Sequence, residues 1–231
     1  MTQDVSSNAP STEINESSTE EPPPFPLTTI DRELLAMKDE DFTPISWDML
    51  AHYISTNQLE ELKRFPSQLR LYLAWSRDIK AKYGNVTNFI LQERLGWVPL
   101  PSSDPNAAPR FDYKDPVPFK EPSDFKVLIN DWPYGFAKGI MHIVVWLKTP
   151  VPADPETGMI TDEGATLIRD FMERYFVKRM RETGLLGEKE ESQKRVMWFK
   201  NWIKLQSVRA IEHVHVLVRG ASEELLQEWR G

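Results

Sequence analysis

Large apolar residues are sparse before residue 26 and then recur with two periods, helical in the first half of the chain and strand-like in much of the second. Behind Ser46, a residue type that caps helices, Trp47, Leu50, Ala51 and Ile54 fall at i, i+3, i+4 and i+7 and predict a helix. Asn57 with Glu60 three residues on has the form of a capping box for a short helix after it. A longer helix is predicted from Pro66, with Leu69, Tyr72, Leu73, Ile79 and Tyr83 facing inward and a stop at Gly84. Asn85 then caps a helix bearing Val86, Phe89 and Ile90. Seven prolines between residues 96 and 123, with little apolar periodicity, predict a long loop, either a lid or a strap.

The period then shortens. Residues 125–129 alternate as a strand, and residues 140–147 are apolar on both faces, as a covered central strand is. Between them, residues 130–135 (Asn-Asp-Trp-Pro-Tyr-Gly) form a turn. Thr161 caps a long helix with Asp162 and Glu163 in its first turn, Leu167, Ile168, Phe171 and Tyr175 on its inward stripe, and Lys178, Arg179 and Arg181 before a stop at Gly184. Residues 196–199 and 211–218 are the remaining strands, followed by a terminal helix through Leu225, Leu226 and Trp229. The pattern predicts an α+β fold: N-terminal helices packed on a mainly antiparallel sheet, in one domain over residues 42–231. Residues 1–41 are predicted to be a disordered tail and linker, since Ser, Thr, Glu, Asn and Pro dominate there and bury too little surface to offset ordering entropy. The run from Pro22 to Pro26 reads as a stiff solvated linker, with a polyproline ligand as the alternative.

Composition narrows the classes. The chain of 231 residues carries a net charge of -7, which argues against a phosphate backbone or an anionic membrane surface as partner. With no cysteine there is no disulfide, thiolate nucleophile or Cys-type metal site. No apolar run approaches the ~20 residues of a membrane span, and the first 21 residues resemble neither a secretory signal nor a mitochondrial presequence. The expected location is therefore the cytosol, with the nucleus open. Gly-rich phosphate loops, dinucleotide fingerprints, nucleophile elbows and zinc helices of the HExxH type are all missing.

Three of the four histidines fall in predicted strands. His213 and His215 alternate with Glu212, Val214 and Val216, so both rings leave one face, roughly 7 Å apart. His142 shares a face with Val144 and Trp146, and pairing of the two strands would gather three imidazoles. Three readings compete for such a cluster: a divalent-metal site completed by His142 or a carboxylate, a nucleophilic imidazole with an orienting partner, or partly buried rings bonded to backbone and carboxylate groups. No residue is assigned to a metal, and no cofactor is identified. Eight tryptophans add a sugar-stacking reading for Trp132, Trp198 and Trp202, while Arg209 and Lys200 are candidates to neutralise a phosphate.

The segment from Asn130 through Trp132, Pro133 and Gly139 to His142, with Glu212-His213-Val214-His215-Val216 later, resembles the histidine triad superfamily. That resemblance implies a nucleotide site, with either His213 or His215 as nucleophile, His142 fixing the pocket and Asn130 on the ligand. It departs from the superfamily in a longer step from Gly139 to His142 and in having two alternating histidines where three are usual. A wider resemblance spans residues 44 to 218: Leu71-Tyr72-Leu73-Ala74-Trp75, Lys82-Tyr83-Gly84-Asn85-Val86, Leu95-Gly96-Trp97, Asn130-Asp131-Trp132-Pro133-Tyr134 and Trp198-Phe199-Lys200-Asn201-Trp202 together look like the fungal N-acetylglucosamine-induced protein family, catalogued as a domain of unknown function. It implies a cytosolic protein whose expression follows amino-sugar availability, and it supplies no reaction. The functional expectation is a protein that binds or acts on a nucleotide or phosphosugar, as a nucleotidyl transferase or phosphoester hydrolase. A non-catalytic sugar- or nucleotide-binding regulator is the alternative. The candidate catalytic residues are His213, His215 and His142, and the candidate ligand contacts are Asn130, Trp132, Trp202 and Arg209.

Overall fold

A computed structural model describes residues 23–104, 107–202, 205–206 and 208–229. Residues 1–22 of the disordered tail and linker expected over residues 1–41, and Pro105 of the proline-rich loop, lie outside those residues. Four antiparallel strands, β1 (Phe125–Ile129), β2 (Ile140–Leu147), β3 (Val196–Phe199) and β4 (Glu212–Arg219), form one sheet in the order β1-β2-β4-β3. With its helices this is the α+β fold that the pattern predicts.

Strand alternation divides the sheet into two unlike faces. On one, Val127, Ile143, Val145, Leu147, Val196, Val214, Val216 and Val218 meet α5 (Asp162–Met172), its π-helical continuation Glu173–Val177, α6 (Lys178–Glu182) and α7 (Glu223–Glu228). That layer is mainly apolar: Ile168, Phe171, Phe176 and Met180 are fully buried in it, as is Trp229 just past α7. Thr161 starts α5 as expected, accepting the Gly164 N–H at 3.2 Å.

The opposite face carries the histidines. The register aligns Val144 with His215, Trp146 with His213, His142 with Leu217 and Phe199 with His215, so all of these side chains leave the same side. The N-terminal helices cover it. Trp47 and Leu50 of α2 (Trp47–Ser55) pack on Met197, Phe199 and Leu217, while Ile90, Leu91 and Leu95 pack on Leu128, Val144 and Trp146. The latter three belong to a π-helical turn, Ile90–Leu95, that continues α4 (Val86–Phe89). Between them runs α3 (Pro66–Tyr83), opened by its proline and closed at Gly84 with φ +81°.

Two expectations are corrected here. Residues 29–36, placed in the tail and linker, form α1 (Thr29–Ala36). Thr28 and Asp31 make a reciprocal capping box at 2.8 and 3.1 Å, Leu34 packs on Leu69 and Leu73, and Arg70 of α3 donates to the terminal carbonyls of Leu35 and Met37. An Asp in the position usually held by Glu or Gln hid the signal. Asn57, in turn, does not cap the short 3-10 helix that follows it at Leu59–Glu61: at φ +55° it ends α2, with Gln58 N–H donating back to Tyr53 O at 2.8 Å. An asparagine tolerates that left-handed position and closes a helix as glycine does.

The proline-rich segment is a strap. Phe111 inserts beside Trp97, and Phe119 is buried against Phe171 with ring centroids 4.6 Å apart. Asp124 pins it at its end, accepting the N–H groups of Lys114 and Asp115 at 2.8 and 2.9 Å from a site only 3% exposed. Removing the carboxylate leaves two part-buried donors without their acceptor, so Asp124→Ala is expected to cost about 1 to 2 kcal/mol. Urea unfolding checks this, and limited proteolysis near residues 98–110 should accelerate alongside it.

Candidate functional site

The turn after β1 is held in place by a different part of the chain. Gly135 N–H donates to Lys63 O at 2.7 Å and Ile45 N–H donates to Gly135 O at 2.8 Å, so the segments just before α2 and just before α3 are both stitched to the turn. A side chain at Gly135 would lie 2.5 Å from the Phe42 ring, which explains the glycine there. This clamp sets Arg64, the next residue, above the rings of Tyr72 at 4.3 Å and Tyr134 at 5.4 Å. No carboxylate among the described residues pairs with Arg64, and its buried Nε has no hydrogen-bond partner.

Below Arg64 lie the imidazoles. His142 Nε2 is 2.9 Å from His215 Nδ1, and Asn130 Nδ2 is 3.2 Å from His142 Nδ1. Aromatic rings box them in: Tyr134 stacks on His142 with centroids 5.4 Å apart, and Phe199 stacks on His215 at 4.7 Å and 14°. His213 sits apart from that pair. Its Nδ1 is 2.8 Å from Ile211 O, to which only an N–H can donate, and its ring lies over Trp146 at 4.8 Å. Nε2 is therefore unprotonated, and it has no hydrogen-bond partner among the described residues.

Burial sets the charge of this group. His142, His213 and His215 are 2%, 6% and 7% exposed. Desolvation pushes the His142 pKa down to about 3, with the Arg64 charge adding to the shift. It pushes that of His213 to about 4, partly opposed by the Ile211 carbonyl. For His215 desolvation again leads, and its two neighbouring histidines and Arg64 drive the value well below the usual range. All three rings are neutral at physiological pH. Beside them Lys200 and Glu212 form a largely buried ion pair at 2.8 Å, and burial raises the Glu212 carboxyl.

A cavity of about 80 Å³ opens over this floor, lined by Arg64, Asn130, Trp132, Asn201, His213 and His215. Trp75, Phe89 and Trp146 supply apolar walls, and the Arg94 to Asp131 ion pair, 2.9 Å, stands at the side. That volume holds a phosphoryl group or a few waters, each needing roughly 10 to 15 Å³, and is too small for a whole nucleoside. Anything larger must leave its body against the surrounding aromatic rings.

Four of the predicted site residues thus meet: Asn130, Trp132, His213 and His215. His142 lies one layer beneath, bonded to two of them and outside the cavity lining. The other two are not brought there. Trp202 follows Asn201, packs beside the cluster under α2, and lines a groove of about 590 Å³ along the β3 edge. Arg209 is exposed in the turn before β4 and borders a groove of about 790 Å³ beside α1 and α3. Conversely, Arg64, Tyr134 and Asn201 went unassigned. Asn201 was reachable, because it continues the odd-numbered face of β3 that meets the odd-numbered face of β4. Arg64 was not, since it lies in a connection whose placement depends on the turn 70 residues later. The metal reading loses its ligand set: His142 and His215 spend nitrogens on each other, and among the described residues no group of three or more His, Asp or Glu side chains is arranged to hold an ion.

Fold and site together define an α+β protein with a polar cavity, floored by neutral imidazoles, between its sheet and its N-terminal helices. The chain belongs to the family described as "Protein of unknown function (DUF3605)", whose model matches residues 46–219. It is 28% identical over 193 residues to N-acetylglucosamine-induced protein 1 of Candida albicans, covering 80% of this chain and 72% of that one. It is also 27% identical over 172 residues to an uncharacterized protein of Saccharomyces cerevisiae, YPL067C, covering 74% and 77% of the two chains. These matches bear out the family resemblance carried by the sequence motifs. The crystal structure of HTC1 shares the fold, with a TM-score of 0.51 and 24% identity over 79% of this chain and 91% of that one. No helix among the described residues is long and apolar enough to cross a membrane.

Proposed function

We propose that the protein binds a phosphorylated small molecule, a phosphosugar or nucleotide, in this cavity, and that it does so in the cytosol as part of the response to amino-sugar availability. The observation that carries the reading is Arg64: a guanidinium beside two tyrosine rings, with no carboxylate partner among the described residues, facing a cavity sized for a phosphoryl group. An unpaired cation in such a place favours an anion, and Arg presents a fork that matches phosphate oxygens. Trp75 and Trp132, 5.2 Å apart and beside the opening, supply faces for a sugar or base. The name of the Candida relative speaks of induction by N-acetylglucosamine, which makes amino-sugar phosphates and nucleotide sugars the first ligands to try. The net charge of -7 argues against nucleic acid as the partner.

A second reading adds chemistry, and one observation favours it. His213 donates Nδ1–H to the Ile211 carbonyl and keeps Nε2 bare toward the cavity, the state a nucleophilic imidazole needs. In nucleotidyl or phosphoryl transfer the Nε2 lone pair would bond to phosphorus as the bond to the leaving oxygen breaks, and water would then release the group from nitrogen. Here the histidine-triad resemblance and the placement of Asn130, His142 and His215 point the same way.

Titration of tryptophan fluorescence with N-acetylglucosamine 6-phosphate, UMP and uridine diphosphate N-acetylglucosamine tests both. At least one should bind, and Arg64→Leu should weaken it by about 2 kcal/mol or more, ~30-fold, with Arg64→Lys in between. Equal affinity in Arg64→Leu, or no binding of any of the three, would end the ligand reading. His213→Ala should keep binding and abolish any turnover seen by mass spectrometry; undiminished product would remove His213 as nucleophile.

A further inference from the structure

Asn201 follows β3, is 3% exposed and lines the cavity, yet half of its side chain is spent elsewhere. Its nitrogen faces the Tyr134 hydroxyl and His215 Nε2, each 3.3 Å away. An amide nitrogen carries two N–H groups, so those two neighbours occupy it. The backbone carbonyl of Asn201 receives the Gln206 side chain at 2.7 Å, which ties the residue down from its other end. The side-chain oxygen is left over: it is buried and has no hydrogen-bond partner among the described residues.

A carbonyl oxygen can only accept, so whatever meets it must bring a donor. Charge decides which donor. The cavity wall carries three charged side chains, Arg64, Arg94 and Asp131, and the last two pair with each other at 2.9 Å. What remains is the single positive charge of Arg64, over His213 and His215 rings that burial keeps neutral. An ammonium would be repelled there with no free carboxylate to meet it, whereas a hydroxyl enters with no charge to bury. Arg64 is the opposite case: its buried Nε–H has no acceptor, so it asks for oxygen. The two unmet groups therefore ask for different parts of one molecule. A bare phosphate dianion satisfies Arg64 alone and sets its lone pairs against the Asn201 oxygen.

We propose that Asn201 is a specificity-determining residue, its side-chain oxygen accepting a hydroxyl of the ligand while Arg64 holds the phosphoryl group. The ligand class narrows to phosphorylated sugars, free or within a nucleotide, that carry a hydroxyl within reach of their phosphate. Removing that hydroxyl leaves the oxygen buried and unpaired in the complex, which is how a polar site rejects an analogue lacking one group. The role of Asn201 rests on the ligand reading above, yet the two are separable, since a phosphate held by Arg64 alone would need no hydroxyl.

Isothermal titration calorimetry of the full chain at about pH 8, where a phosphate monoester is a dianion with no P–OH donor, gives the test. The probes are N-acetylglucosamine 6-phosphate, UMP and uridine diphosphate N-acetylglucosamine, each beside analogues lacking one sugar hydroxyl. For a parent that binds, loss of one particular hydroxyl should weaken wild-type binding by about 10- to 100-fold, and loss of the others by no more than about threefold. In Asn201→Leu the parent should bind about as weakly as that analogue, so the difference between the two collapses. In His213→Ala the difference should persist, which separates Asn201 from the other bare acceptor in the cavity. A flat series in the wild type overturns the role of Asn201, as does a difference that survives in Asn201→Leu or vanishes in His213→Ala. If Asn201→Leu does not fold, the wild-type series and His213→Ala decide it. Parent binding that is lost in Arg64→Leu alongside a flat series keeps the ligand reading and removes only the hydroxyl contact, whereas no binding of any parent removes both.

Discussion

Lowering the pH from about 7 to about 4.5 is expected to unfold the protein cooperatively, because three imidazoles are held neutral inside it. Unfolded histidines protonate near pH 6.5, whereas His142 and His213 in the folded chain resist protonation down to about 3 and about 4, and His215 also lies well below 6.5. Below pH 6.5 the unfolded state therefore binds more protons than the folded state, and stability falls as pH falls. Three rings give a slope of up to ~4 kcal/mol per pH unit, or roughly 8 kcal/mol by pH 4.5. That approaches the whole stability of an ordinary domain, ~5 to 15 kcal/mol. Asp39, Asp115, Asp154 and Glu228, whose folded values are lowered, push the same way at lower pH, while Glu212, raised by burial, opposes them. Circular dichroism against pH gives the midpoint, and His215→Gln should flatten the slope by about one proton. A native signal persisting to about pH 3 would show that the three rings do not remain neutral on folding.

Gly164→Ala should lower the melting temperature by about 4 to 8 °C, against the usual direction for such a change in a helix. A methyl at Gly164 would lie 2.3 Å from Pro152 O and 2.9 Å from Ile160 Cγ2. Pro152 O cannot retreat easily, since it already receives both the N–H and the hydroxyl of Thr161, each at 3.2 Å. The helix must then shift, and its buried stripe of Ile168 and Phe171 shifts with it. Overpacking of this kind costs about 1 to 3 kcal/mol and the rigid backbone contact places it at the upper end, outweighing the ~1 kcal/mol that alanine gains in helix propensity. Differential scanning calorimetry decides it, and an unchanged or raised melting temperature would show that the strand-to-helix connection yields.

Local chemistry made most of the fold readable. Ser46, Asn85 and Thr161 each cap the helix they precede, Pro66 and Gly84 bound α3, and apolar patterning located all four strands. What failed was also local but less usual: the capping box at Thr28 uses Asp, and Asn57 sits where a glycine normally stands. The site divides in the same way. Period-two alternation placed His213 and His215 on one face and allowed His142 to join them, because register follows from the strands themselves. Arg64 reaches the cavity through the bonds between Lys63, Ile45 and Gly135, a long-range contact with no sequence period. Trp202 was favoured for its chemistry, while one position earlier Asn201 had the geometry.

The order β1-β2-β4-β3 has a consequence for how a ligand enters. The two strands bearing the histidines are the inner pair, bonded on both sides, so the imidazole floor breathes only when the whole sheet opens. Entry must come from above, where the roof is made of separate segments: the α2 to α3 connection, the π-helical turn after α4 and the turn after β1. Affinity would thus be governed by a rigid base, and the rate of capture by how often that segmented roof parts.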